Sequence, residues 1–334
     1  MITPTRLSYG VLIATIALAV LLHLGVPLLV LLFSYFALRQ LYFLTKRKWL
    51  ALILFGVVVA GITAAAVYFT RTAILALPDV ADTSIPSASA WAQKRQIELP
   101  FTDFESLRQA VVDTLGQEAQ YLRNVANFAK SAAGAIVFSI LGIVAAGSLF
   151  YKTGLDPYRG THRLKNNLYS ICCDKVSTRF RDFYRSFATV MGAQITISLI
   201  NTALTGIFLV AVRLPHAPLL IAVTFLCGLV PIVGNLASNT VIVFVALTVS
   251  LKLAIVALVF LILIHKLEYL LNSKIIGDRI RNPVWLTLIA LILGERLMGI
   301  PGLILAPVVL NYLRVEMLTV EVPAPSETVE ALNR

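Results

Sequence analysis

Apolar residues in this chain gather into long blocks rather than alternating with polar ones, and most blocks approach the ~20 residues a helix needs to cross a hydrocarbon layer. They run from Leu7 to Leu24, Val26 to Leu44, Trp49 to Thr70, Ala132 to Tyr151, Phe187 to Val212, His216 to Val249, Leu253 to Ile264 and Val284 to Leu313. A transmembrane barrel would show segments of about ten residues with alternating polarity, and none is visible. The pattern predicts an all-α protein, a polytopic transmembrane helix bundle with about eight hydrophobic segments.

Two blocks are interrupted. The sixth is broken by Gly228, Pro231 and Gly234, with Asn235, Ser238 and Asn239 directly after. Each half is about 16 residues, or ~24 Å of helix, enough to dip into a bilayer and return. The eighth is broken by Gly294, Glu295, Arg296, Gly299, Pro301 and Gly302, with Pro307 in its second arm. Its first arm, about 10 residues, covers ~15 Å, half of the hydrocarbon. Two readings fit. Both segments are re-entrant hairpins entering from opposite faces, a pointer to a transport site because broken helices expose backbone dipoles at mid-depth. Alternatively, Pro231 and Pro301 kink ordinary spans.

Charge orients the chain. Lys46, Arg47 and Lys48 follow the second block, and the loop 152–185 carries Lys152, Arg159, Arg163, Lys165, Lys175, Arg179, Arg181 and Arg185. The positive-inside bias makes both segments cytoplasmic. Counting every later block as a full crossing would place Lys266, Lys274, Arg279 and Arg281 outside; a hairpin at the sixth block removes the conflict. The expectation is an inner (plasma) membrane protein with both termini cytoplasmic. Arg6 and the first block are read as a retained span, since no small-x-small cleavage site follows Leu22.

Four regions result: a three-span unit 1–77, an extracytoplasmic and mostly helical insertion 78–130, a membrane transport region 131–315 and a disordered tail 316–334. In the insertion, Thr102-x-x-Glu105 suits a capping box, and Leu107, Val111, Leu115, Leu122 and Val125 follow with helical periodicity. The tail holds Pro323 and Pro325, with Glu316, Glu321, Glu327 and Glu330 and few large apolar side chains.

Composition narrows the partners. Hydrophobic residues make up 58% and charged residues 13%, against about 25% charged in soluble domains, so the bilayer is the main solvent. The formal charge of +11 sits in short loops beside spans, where orientation explains it and no nucleic-acid partner is implied. Cys172, Cys173 and Cys227 give neither a disulfide framework nor a metal-ligand spacing.

Gln194, Ser198, Asn201, Thr202 and Thr205 recur at helical spacing as one polar stripe on the fifth block. The stripe either lines a solute path or hydrogen-bonds to a neighbouring helix; both readings stand. His265, Lys266 and Glu268 end the seventh block, and Glu295 and Arg296 sit at the break in the eighth. Lys266 and Arg296 suit anchoring at a boundary, because long cationic side chains snorkel. Glu268 is the stronger candidate, since a short carboxylate reaches water poorly and can bind a cation or shuttle a proton. No His-Glu-x-x-His, Gly-x-Ser-x-Gly or phosphate-loop pattern occurs, so the reading is a non-enzyme with no cofactor or metal, driven by an ion gradient, the solute gradient or a partner.

The C-terminal half carries Leu226-Cys-Gly-Leu-Val-Pro231-Ile-Val-Gly234, then Leu267-Glu268 with Lys274-Ile-Ile-Gly277, then Pro283, then Gly294-Glu-Arg-Leu-Met-Gly299-Ile-Pro-Gly302-Leu-Ile-Leu-Ala306-Pro307. In order and spacing this resembles the autoinducer-2 exporter (AI-2E) family of permeases. The chain departs from that pattern at Ser273, where relatives often have proline, and in the shortened Ala306-Pro307 ending. The resemblance implies a secondary transporter, with members linked to autoinducer-2 export or to sodium/proton exchange. It also implies a homo-oligomer with an elevator-like movement of the hairpin-bearing half.

The resulting expectation is a permease that exports a small polar molecule or exchanges Na+ for H+. Glu268 is expected to act as coupling carboxylate, with Gln194, Ser198, Asn201, Asn235, Ser238, Asn239, Glu295 and Arg296 as transport-site candidates. Gly228, Pro231, Gly234, Gly294, Gly299, Gly302 and Pro307 shape the hairpin backbone. The alternative is a non-transporting membrane scaffold that recruits partners through 78–130.

Overall fold

A computed structural model describes residues 4–93, 118–152, 167–231, 233–275 and 283–319. The Thr102–Glu105 capping box, Arg159, Arg163, Lys165, Gly277, Arg279, Arg281 and the chain beyond Thr319 lie outside the described residues. Within them the order is α1 (Pro4–Leu21), α2 (Gly25–Thr45), α3 (Lys48–Gln93), α4 (Glu118–Tyr151), α5 (Leu168–Ala211), α6 (Ala217–Gly228), α7 (Val233–Val249), α8 (Leu251–Ile275), α9 (Val284–Met298) and α10 (Ile300–Leu318), with no strand among them. Five stretches are long and apolar enough to cross a membrane: Gly25–Thr45, Lys48–Thr72, Ala133–Tyr151, Leu168–Ala211 and Ile300–Leu318. The chain is a helical, polytopic membrane protein.

Helix boundaries depart from the hydrophobic blocks in three places. The third helix runs through Pro78 and Pro86 to Gln93. The fifth starts at Leu168, inside the stretch read as a basic loop, and Asn167 caps it by accepting a hydrogen bond from the Ser170 N–H at 2.8 Å. The tenth continues to Leu318, so Glu316 belongs to a helix and not to the tail. In each case charge marks where apolar surroundings end, while the backbone continues to satisfy its own hydrogen bonds.

The fifth helix, 44 residues or ~66 Å, is the spine. Its N-terminal half packs with α2 and α10 around Leu29, Leu32, Phe187, Met191 and Val308. Its C-terminal half packs with α6, α7 and α8 around Leu209, Leu220, Ile242, Ala246 and Leu261. A third cluster joins α2, α3 and α4 through Leu38, Ala51, Phe55, Ala146 and Phe150.

Both interrupted segments reverse direction. Gly294 and Gly302, eight positions apart, would lie ~12 Å apart along a continuous helix. Instead their backbones touch: a Cβ on either would overlap the other's carbonyl oxygen, and one on Gly294 would also meet the Ala306 Cβ at 3.0 Å. The turn is made by Gly299 at φ 64 and ψ −141, a conformation suited to glycine. In the other segment, a Cβ on Gly234 would overlap the carbonyl of Cys227, seven positions earlier. Kinked spans through Pro231 and Pro301 are therefore excluded. The first hairpin is α6–α7 and the second is α9–α10. Pro307 lies inside α10, beyond the turn.

Candidate functional site

Hairpin turns strand carbonyls, because the last turn of a helix has no donors ahead of it. At the end of α6, Leu229 N–H bonds to Leu226 and Val230 N–H to Cys227. The α5 stripe satisfies two carbonyls beside these. Gln194 Nε2 donates to Gly228 O at 2.7 Å, and Ser198 Oγ donates to Phe225 O at 2.9 Å. Gly228 is small where it must be, since a Cβ there would lie 3.0 Å from the Ser198 Cβ. Gln194 and Ser198 therefore hold the first hairpin's tip against the spine, which is the helix-bonding reading of the stripe.

Further along the same face the stripe meets charge. Asn201 Nδ2 donates to Asn235 Oδ1 at 3.4 Å, and Asn235 Nδ2 donates to Glu268 Oε1 at 2.6 Å. These residues come from α5, α7 and α8 and are all buried. Ser238, also buried, donates from Oγ to the Asn235 carbonyl at 3.2 Å, fixing the first turns of α7. His265 Nδ1 lies 3.7 Å from Glu268 Oε2, one helical turn away. Such a chain of amides fixes the orientation of the carboxylate.

The chain of bonds is incomplete. Glu268 Oε2, Asn201 Oδ1, Thr202 Oγ1 and Thr205 Oγ1 are buried without a hydrogen-bond partner among the described residues. Buried polar atoms normally find partners, so the Asn201 and Glu268 oxygens, on residues that line one space between α5 and α8, are open to a proton, a cation or water. Beside the carboxylate, Ile197, Leu204, Ile264 and Leu267 leave no space for a water-sized sphere. The site is closed in this conformation.

Asn239 lies apart from this chain. It lines a groove between α7 and α8 whose walls include Val243, Phe244, Leu258 and Ile262, with His265 and Lys266. Glu295 and Arg296 also stay outside: their side chains are 54% and 84% exposed, Arg296 Nε is 4.0 Å from Glu295 Oε2, and no hydrogen bond or ion pair joins either to the Glu268 group. The structure thus brings together Gln194, Ser198, Asn201, Asn235, Ser238 and Glu268 from the expected set, but not Asn239, Glu295 or Arg296.

A polar cluster unforeseen from sequence ties the other half of the spine. Arg179 of α5 forms an ion pair with Glu316 of α10, and its Nη2 donates to the Tyr9 hydroxyl of α1 at 2.8 Å. Tyr9 in turn donates to Glu316 Oε1 at 2.8 Å, and its ring faces the guanidinium at 4.4 Å. The two tips converge between these clusters: Val230 of the first hairpin and Met298 of the second pack against the same apolar core.

Comparison with known proteins agrees with this architecture. Residues 9–319 match the AI-2E family transporter model, and the chain belongs to that family. It is also similar to YdbI of Bacillus subtilis (strain 168), whose name describes it only as a transport protein, at 27% identity over 187 residues, covering 55% of this chain and 51% of the relative. The chain thus spans about half the length of that curated relative.

Proposed function

We propose that this chain is a secondary transporter of the inner (plasma) membrane whose coupling group is Glu268. It exports a small polar molecule or exchanges Na+ for H+. The observation that carries the reading is the buried carboxylate bonded by Asn235, its Oε2 without a hydrogen bond and 3.7 Å from His265 Nδ1, beside the open oxygen of Asn201. An ionisable group in a membrane interior is costly and is functional by default. A buried carboxylate beside an open amide oxygen suits a proton or a bare monovalent cation, and the absence of room for water means that loading requires the helices around it to part.

In this reading the hairpins enter the bilayer from opposite faces and both termini are cytoplasmic. Their tips then meet at mid-depth, with Gly228 close against Ser198 of α5 and Gly294 closing the second hairpin on Gly302. The hairpin-bearing half moves against the rest, in a homo-oligomer. Purified protein in liposomes, given an inward Na+ gradient with a pH-sensitive dye inside, tests it. Wild type should move protons, and Glu268→Gln should lose at least about tenfold of the flux, because the amide can neither release a proton nor neutralise a cation. Full flux in the variant would remove Glu268 from the mechanism.

A further inference from the structure

Arg179 and Glu316 are the end of a ladder. Phe183 and Tyr312 face each other with ring centroids 5.5 Å apart. Phe187 and Val308 belong to one buried cluster, as do Met191 and Ile304. Along α5 the rungs are Arg179, Phe183, Phe187 and Met191, and along the antiparallel α10 they are Glu316, Tyr312, Val308 and Ile304, every step on both helices being four residues. A surface repeating every four residues can be displaced by one rung, ~6 Å, and still place rung against rung.

The displaced register finds a partner for every rung in one direction. If α10 slides toward its C-terminal end, Phe183 meets Val308, Phe187 meets Ile304, and the apolar rungs remain apolar. Arg179 meets the Tyr312 hydroxyl, and Glu316 meets Lys175, which is one turn before Arg179 and exposed in the present register. Tyr312 is 4% exposed, yet its hydroxyl has no partner among the described residues. A buried phenol normally bonds, and the slide supplies that bond. Tyr9, on α1, keeps the bond it accepts from Arg179, because neither group rides on the sliding arm, and gives up the bond it donates to Glu316 in exchange for the one that Tyr312 gains.

We propose that the second hairpin is a two-position ratchet on α5, in which Glu316 exchanges Arg179 for Lys175 while Tyr312 takes over Arg179. The slide carries the Gly299 turn and Met298 ~6 Å along α5 toward its N-terminal end, parting the two hairpin tips. Packed interfaces switch between such discrete arrangements rather than deforming continuously. This inference rests on the transporter reading only for its purpose; the two registers exist or fail independently of any flux.

Disulfide trapping in the full chain, with Cys172, Cys173 and Cys227 replaced by serine and the protein in liposomes, separates the registers. A disulfide needs Cα atoms within about 7 Å, and an axial offset of one rung, ~6 Å, carries a facing pair beyond that reach. Phe183→Cys with Tyr312→Cys reports the present register, and Phe183→Cys with Val308→Cys reports the displaced one. Both pairs should oxidise, and Glu316→Gln should raise the second yield, since it weakens the Arg179 rung. Adding Tyr312→Phe to the second pair should lower its yield about two- to tenfold, the change that loss of one hydrogen bond produces. In otherwise native protein, Lys175→Ala and Tyr312→Phe should slow proton flux by a similar factor while leaving the melting temperature unchanged. No oxidation of the 183–308 pair, with or without Glu316→Gln, in protein that elutes as a single species would overturn the ratchet. Trapping of both registers in a wild type that moves no protons would keep the ratchet and remove the coupled-transport reading instead.

Discussion

The two hairpins share a sequence device and differ in how they are held. The first is fastened at its tip, where Gln194 and Ser198 of α5 donate to the stranded carbonyls of Gly228 and Phe225. The second is fastened at the far end of its returning arm, where Glu316 meets Arg179 and Tyr9, while Glu295 and Arg296 at its tip stay exposed. Apolar burial gives little drive between helices in lipid, so hydrogen bonds and close backbone contact decide which elements stay together. A tip tied by two directional bonds to neutral side chains turns with its spine. An arm tied by a terminal ion pair over a four-residue repeat can be released and re-engaged. The difference assigns fixed and movable roles to two segments that look alike in sequence.

The sharpest way to break the comparison is to destroy the internal closure of the second hairpin. Gly302→Val places two methyl groups where the Gly294 carbonyl lies, and the clash is with backbone that no rotamer change relieves. Overpacking typically costs 1–3 kcal/mol, and a backbone clash should reach at least about 3 kcal/mol. The expected outcome is loss of monodisperse protein in size-exclusion chromatography. A well-folded Gly302→Val with an unchanged melting temperature would mean that the arms are not zipped through their glycines.

A smaller effect tests the fastening of the first hairpin. Gln194→Leu keeps the side chain's bulk and removes the donor to Gly228 O, leaving a carbonyl without its 2.7 Å partner. An orphaned polar group costs about 1–3 kcal/mol, read as a lowered melting temperature in detergent, and Ser198→Ala should act alike, since each side chain gives one neutral bond to a hairpin carbonyl. If Gln194→Leu melts with wild type, the tip is not held by α5, and the contrast between the hairpins weakens.

Much of this was legible in the chain, for identifiable reasons. The two interruptions were visible because glycine and proline cluster inside apolar blocks, although the sequence left hairpins and kinked spans both open, and the α5 stripe was visible because polar residues three and four apart share a helix face. What sequence could not separate was whether the stripe binds helix or solute; the structure assigns Gln194 and Ser198 to the hairpin and leaves Asn201, Thr202 and Thr205 with open oxygens. The Arg179–Glu316 pair was hidden because 137 positions separate its members and because Glu316 follows a falling hydropathy profile that resembles the start of a tail. The one available signal was the four-residue spacing of Val308, Tyr312 and Glu316, which continues α10 past its apolar block. Hydropathy reports the solvent a residue prefers, and it is silent on whether the helix goes on.

The smallest expected effect concerns the second hairpin's tip, and it sharpens the comparison most finely. Among the described residues Arg296 pairs with Glu295 at 4.0 Å, and its side chain is 84% exposed, so its removal leaves no buried group among them unpaired. Arg296→Gln should therefore shift stability by no more than about 0.5 kcal/mol, as surface substitutions away from special features do, and should change proton flux less than about twofold. Both outcomes follow if the tip is a free end that rides with its arm and the solute-binding chemistry resides with Glu268. A flux loss as deep as that of Glu268→Gln, at unchanged melting temperature, would place the guanidinium on the solute path. The tip would then join the site in the displaced register rather than the present one, and both hairpins, not the first alone, would contribute side chains to it.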